Sequence, residues 1–212
     1  GKYSFRLNNY FVAYTINTNF KKEYSMLQLG LYTLKKMFKH RKELHLLSQG
    51  YRIDSIIKLS VNLLKQQGIN YLALDFDGVL ASHGKSEMHP EVMLWLKDFV
   101  TEFPQERIFI LSNKPTQARL EYFNAKINKN RFIAGVAKKP YPEGLNKIIQ
   151  LVDCQAKELA LVDDRLLTGC LACLIAGCYP ILVTKPYIDT DNYTKEEKFF
   201  KFLRYSEQKI FL

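Results

Sequence analysis

Apolar residues first fall into a regular rhythm at Leu27, Leu31, Leu34 and Phe38, a four-three-four spacing that puts them on one stripe of a helix within residues 23–47. A second helix is predicted after Gly50. Ile53, Ile56, Ile57, Val61 and Leu64 would share its inner face, and Gly68 stands where a C-cap would end it. From Tyr71 the pattern changes to short, almost wholly apolar runs separated by helical stretches. The runs at residues 71–74, 108–111, 132–136, 159–162 and 181–183 read as buried parallel strands. Helices are predicted between them at 91–103, 116–125, 143–152 and 167–176. This alternation implies an α/β fold, a doubly wound parallel sheet with helices on both faces. Residues 194–212 read as one more amphipathic helix, with Phe199, Phe202 and Tyr205 packing back on the core. The expected organisation is a helical extension over 1–69 packed on the core through its apolar stripes, an α/β domain over 70–186, and a helical tail over 187–212.

Composition changes this picture little, but charge does. A chain of 212 residues can bury one good-sized core with an appendage, and its 47% apolar content is ordinary for a globular protein. No stretch reaches the roughly 18–20 apolar residues that span a bilayer. Residues 171–183 come nearest and are interrupted by Gly177 and Pro180. Residues 1–70 hold twelve Lys/Arg against three Asp/Glu, a net +9, whereas the remainder holds nineteen against eighteen, a net +1, which together make the +10 of the whole chain. Attraction to an anionic membrane or an acidic partner, or to nucleic acid as a less favoured choice, therefore belongs to the N-terminal end. Its densest part is Lys35, Lys36, Lys39, Arg41 and Lys42, for which a solvated helix face is the plainer reading. Of the four cysteines, Cys170 and Cys173 have the spacing of half a zinc site, but no second pair completes four ligands, and small buried hydrophobes explain them more simply. Reduced thiols, with no basic segment leading into an apolar run, suit a cytoplasmic location.

Polar residues stand at the carboxyl end of four predicted strands, where ligands bind in sheets of this kind. They are Asp75, Asp77 and Gly78 after the first, Ser112 and Asn113 after the second, Lys138 and Lys139 after the third, and Asp163 and Asp164 after the fourth. An isolated Asp-x-Asp is weak, but four such stations in this order are not. On these residues the chain resembles the haloacid dehalogenase (HAD) superfamily, whose Asp-x-Asp-x-(Thr/Val) signature is matched by Asp75, Asp77 and Val79. The likeness covers roughly residues 70–186. It is most similar to the compact, capless subclass that includes bacterial phosphatidylglycerophosphate phosphatases and small magnesium-dependent phosphatases acting on phosphotyrosine or sugar phosphates.

What the resemblance implies is a HAD-like Rossmann-type fold and a Mg²⁺-dependent phosphomonoester hydrolase working through an aspartyl-phosphate. A carboxylate such as Asp75 can attack phosphorus in line, and Asp77 can protonate the leaving oxygen and later deprotonate water. Ser112 would bond a phosphoryl oxygen, and Lys139, chosen over Lys138 because the family's lysine often precedes a proline as it precedes Pro140, would supply a fixed positive charge. Asn113 and Gly78 are expected to contact substrate. Mg²⁺ would be held by Asp75, the Asp77 backbone carbonyl and Asp164, with Asp163 as second ligand or support.

One departure is Gly169, which stands where relatives carry a further acidic residue. It motivates the competing reading of a catalytically degenerate HAD-fold binding module. The chain has no Cys-x5-Arg loop, GxSxG elbow or GxxxxGK[ST] loop, which argues against cysteine phosphatases, serine hydrolases and P-loop enzymes. His83 and His89 follow the first station and read as surface or capping residues. The intervals from Asp77 to Ser112 and from Ser112 to Lys139 each hold one helix and one strand, with no room for a cap. An open site favours a phosphorylated macromolecule, with a phosphotyrosine protein first, phosphatidylglycerophosphate next and a nucleic-acid 3′-phosphate third.

Overall fold

The computed structural model describes residues 25–47, 52–126, 131–189 and 194–211. Two helices, α1 (Met26–Lys39) and α2 (Arg41–Leu46), are followed by the short strand β1 (Arg52–Ile53) and helix α3 (Val61–Gln66). The α/β repeat then runs β2 (Tyr71–Leu74), α4 (Pro90–Phe99), β3 (Ile108–Leu111), α5 (Gln117–Lys126), β4 (Phe132–Ile133), α6 (Glu143–Val152), β5 (Leu159–Asp163), α7 (Leu171–Ala176) and β6 (Tyr179–Val183). Helix α8 (Lys195–Phe211) closes the described chain. The six strands form one parallel sheet in the order β1-β6-β5-β2-β3-β4. This is the HAD-like Rossmann-type architecture.

Strand β2 lies inside the sheet, with Leu72 in register with Ala160 of β5 and with Ile108 of β3. Side chains alternate across the sheet. Leu72 and Leu74 enter a core roofed by Leu64 of α3, Val92, Leu96 and Phe99 of α4, and Phe123 of α5. Ala73 enters the opposite core beneath Leu145 and Ile148 of α6 and Cys173 of α7. Each fully buried Leu or Phe contributes about 1.5–3 kcal/mol. With both faces filled, the freedom left to the sheet is at its strand ends, where loops emerge. Burial pushes the Cys170 and Cys173 thiols well above their ordinary range, which suits packing groups.

Three sequence expectations change. The helix expected over residues 53–64 is broken: Ile53 pairs with Val183 in the sheet, Ile56–Lys58 make a single 3₁₀ turn, and α3 starts afresh after Ser60, whose hydroxyl accepts from the Leu63 N–H at 3.3 Å. The stripe of Leu27, Leu31, Leu34 and Phe38 faces solvent rather than the core. Helices α1 and α2 instead meet α7, β6 and α8 through Met37, Leu44 and Leu47. Helix α8 is likewise reversed. Phe199, Phe202 and Tyr205 are exposed, while Glu197, Arg204 and Glu207 are buried. Arg204 and Glu207 meet charges of opposite sign on the domain, Asp164 and Arg165, an advantage that amphipathic spacing alone does not reveal. Among the described residues no helix is long and apolar enough to cross a membrane.

Candidate active site

Strand β2 ends by delivering Asp75, whose N–H donates to the Val162 carbonyl at 2.9 Å. Gly78 then turns the chain at φ +82°, and its N–H donates to Ala81 at 2.7 Å. A side chain at this position would be strained at that φ and would collide with the Asp164 carboxylate. Gly78 is therefore a spacer between stations one and four. Asp77 turns toward α5, where Arg119 grips it with two parallel hydrogen bonds, Nη1 to Oδ2 at 2.9 Å and Nη2 to Oδ1 at 2.7 Å.

Ser112 follows β3 and accepts from the Lys114 N–H at 3.1 Å. The Asn113 side chain is committed to the backbone of Lys139, accepting from its N–H at 2.8 Å and donating to its carbonyl at 3.2 Å. It ties station two to station three. Lys138 is exposed and Lys139 buried, before a cis peptide bond to Pro140. The Lys139 ammonium lies 2.9 Å from Asp75 Oδ1 and also pairs with Asp163 Oδ2. Asp163 ends β5, and its other oxygen accepts from the Arg165 N–H at 2.9 Å and the Thr168 hydroxyl at 3.3 Å. Asp164, the next residue, is bonded by Arg204 Nη1 of α8 at 2.8 Å.

These groups come from separate strand ends into one cluster, and residues 32–188, a span that contains all four stations, match the family of mitochondrial PGP phosphatases. The chain belongs to this family. No curated protein matches it. Membership supports a phosphatase of the HAD kind. The family's description is mitochondrial, which leaves the cytoplasmic expectation without support.

In the phosphatase, oxygens of Asp75, Asp163 and Asp164 all lie within 4.8 Å of one another. Two cations face these three buried carboxylates, Lys139 and Arg204, while Asp77 and Arg119 neutralise each other. Negative charge is thus in excess, the more so because Arg204 is shared with buried Glu197 at 3.7 Å, in a place where an unpaired charge costs several kcal/mol. Burial pushes the Asp75 carboxyl well above its ordinary range, with Lys139 opposing, and burial together with Asp163 pushes Asp164 up to about 7. For Lys139 burial favours the neutral amine, but Asp163 and Asp75 overcome it and hold the ammonium above its usual range. For Asp77 burial works upward and loses to Arg119, so its carboxyl lies below the ordinary value. An all-oxygen cluster with a surplus negative charge fits a hard divalent cation such as Mg²⁺.

Several members of the site are invisible to motif reading. Arg119 is buried, also donates to the Lys85 carbonyl, and lies 3.9 Å from the Phe76 ring centroid. Its one sequence signal is a cation in the first turn of a helix, where the dipole disfavours it. Helix α8 supplies the rest. Glu207 accepts from Arg165 Nε at 2.8 Å and the Leu166 N–H at 3.0 Å, and Glu197 lies 3.1 Å from His83, whose ring stacks on Phe200. His83 is therefore covered by α8 and not a surface residue, whereas His89 caps α4 by accepting from the Glu91 N–H. With Lys114 also bonded to Glu196 at 3.0 Å, α8 packs beside the first, second and fourth stations.

Gly169 acquires a structural reason. A Cβ here would overlap the Asp163 side chain, so the carboxylate occupies the space that a larger residue would claim. Gly169→Ala is expected to destabilise the fold by about 1–3 kcal/mol in chemical denaturation and to lower phosphatase activity. Wild-type stability and activity together would show that Asp163 can shift without cost.

Proposed function

We propose that this chain hydrolyses the terminal phosphomonoester of phosphatidylglycerophosphate, with Asp75 as nucleophile and Mg²⁺ as cofactor. The observation that carries this reading is the family match across the same residues that the fold gathers into one buried cluster. An Asp75 oxygen bonds to phosphorus as the bond to the glycerol oxygen breaks, and Asp77 gives that oxygen a proton. Water then attacks the aspartyl-phosphate, Asp77 takes its proton, and inorganic phosphate leaves with Asp75 restored. Arg119 keeps Asp77 ionised at rest, the form this second half requires. For the first half the incoming phosphate raises the proton affinity of Asp77, which takes a proton from the bound phosphomonoester or from solvent before passing it to the glycerol oxygen. Lys139 holds Asp75 in place beside the site, and Ser112 supplies a hydroxyl for a phosphoryl oxygen. Bound Mg²⁺, with Asp75, Asp164 and the Asp77 carbonyl as ligands and Asp163 in support, would offset the repulsion between nucleophile and phosphate.

The phosphotyrosine reading rested on an uncapped site and on aryl esters as easier leaving groups, and the family description favours the lipid. The binding-module reading rested on Gly169, whose lack of a side chain leaves room for the Asp163 carboxylate. Steady-state kinetics on phosphatidylglycerophosphate, phosphotyrosine peptides and 3′-phosphorylated oligonucleotides tests the proposal. The lipid should exceed the others in kcat/KM by about tenfold or more, a difference of roughly 1.4 kcal/mol in transition-state binding, and EDTA should abolish turnover until Mg²⁺ is restored. A peptide or oligonucleotide that outperforms the lipid overturns it.

A further inference from the structure

Two helices touch the loops that carry the catalytic stations, and both carry apolar residues on the outside. On α1, Leu27, Leu31, Leu34 and Phe38 are 50–73% exposed along one stripe. On α8, Phe199, Phe202, Tyr205 and Ile210 are exposed, while the opposite face sends Glu197, Arg204 and Glu207 inward. A surface helix of a water-soluble domain normally has the reverse arrangement. Helix α1 reaches the site through Tyr32, stacked at 4.1 Å between centroids on Tyr141, two residues beyond Lys139. Helix α8 reaches it through Arg204 on Asp164 and Glu196 on Lys114.

The polar residues around these stripes are mainly basic. Helix α1 contains Lys35, Lys36 and Lys39 and no acidic residue, and Arg41 and Lys42 follow it at once. Lys195, Lys198, Lys201 and Lys209 are exposed on α8. Apolar side chains rimmed by lysines form the pattern of a helix lying in a membrane interface, where the side chains enter the acyl boundary and the ammonium groups meet anionic headgroups. A protein partner of mixed charge would not need so one-sided a rim.

We propose that the outward faces of α1 and α8 dock this protein on an anionic lipid bilayer with the catalytic mouth between them. The proposal deepens the lipid-phosphatase reading and rests on it only for the identity of the substrate. Docked this way, the site reaches a headgroup without drawing the lipid out of the bilayer.

Co-sedimentation of the full chain with vesicles of phosphatidylcholine, with and without phosphatidylglycerol, tests it. Binding to the phosphatidylglycerol vesicles should be stronger by about tenfold or more and should weaken with salt. L31S/F38S, F199S/F202S and K35E/K39E should each reduce it by about fivefold or more, while hydrolysis of a soluble aryl phosphate stays at the wild-type rate. Three results would overturn the proposal: no preference for the anionic vesicles, undiminished binding by the variants, or variants that turn a dimer into a monomer while still binding vesicles. The last would make the stripes a contact between copies. Because these vesicles contain no phosphomonoester, binding without turnover of phosphatidylglycerophosphate sinks only the substrate assignment. Turnover in detergent without vesicle binding sinks only the docking face.

Discussion

Asp75→Asn should release no measurable phosphate from any monoester, a loss on the order of 10⁴-fold or more, as for removal of a covalent nucleophile elsewhere. The amide has the size of the carboxylate and can still accept from Lys139, but it cannot form the acyl phosphate. Loss of folding would not explain such a result. Burial already holds the Asp75 carboxyl well above its ordinary range, so replacing it with a neutral group relieves the surplus negative charge among Asp75, Asp163 and Asp164. Thermal unfolding without metal should therefore show the variant at least as stable as the wild type. Phosphate release within tenfold of wild type would place the nucleophile elsewhere.

Lys139→Met should have the largest effect on stability. Its ammonium is buried between Asp75 and Asp163, and removing one partner from such a cluster costs about 3–5 kcal/mol because the carboxylates remain without their counter-charge. Against a typical total of 5–15 kcal/mol this is a large fraction of the fold's stability. Urea unfolding should show the loss, and millimolar Mg²⁺ should restore part of it, since a divalent cation can take over the neutralisation. Phosphate release should fall as well, because Asp75 loses the group that orients it. A variant as stable as the wild type without metal would mean that the three carboxylates hold protons in place of the ammonium.

The sheet was legible because its strands are buried on both faces and appear as unbroken apolar runs, such as residues 71–74 and 108–111, which the structure reproduces to the residue. The stations were legible for a related reason: a parallel sheet places successive strand ends together, so Asp75, Ser112, Lys139 and Asp163 converge although far apart in the chain. Arg119 and Arg204 were not legible. Each is buried only because a distant carboxylate receives it, Asp77 across 42 positions and Asp164 across 40, and periodicity cannot register a partner at that range. Helix α8 failed for the same reason. The amphipathic rule assumes that the wet face is the charged one, which does not hold where charges on the helix meet opposite charges on the domain. For Ile53, the helical reading lost to pairing with Val183, a contact set by β6 and not by its neighbours.

The chain's early and late segments are tied to each other at two places. Strand β1 pairs with β6, and His45 of α2 is hydrogen-bonded to Phe211 at the end of α8, 166 positions away. During synthesis β1 and α2 must wait for β6 and α8 before either contact can form, and loops this long close late. Until then Leu44 and Leu47 lack part of their cover, and Asp164 lacks Arg204. Helix α8, which follows every station in the chain, is thus also the one that brings a cation to Asp164. A chain cut before α8 would hold the nucleophile and most of its neighbours but not Arg204, so the cluster is finished only once α8 has been made.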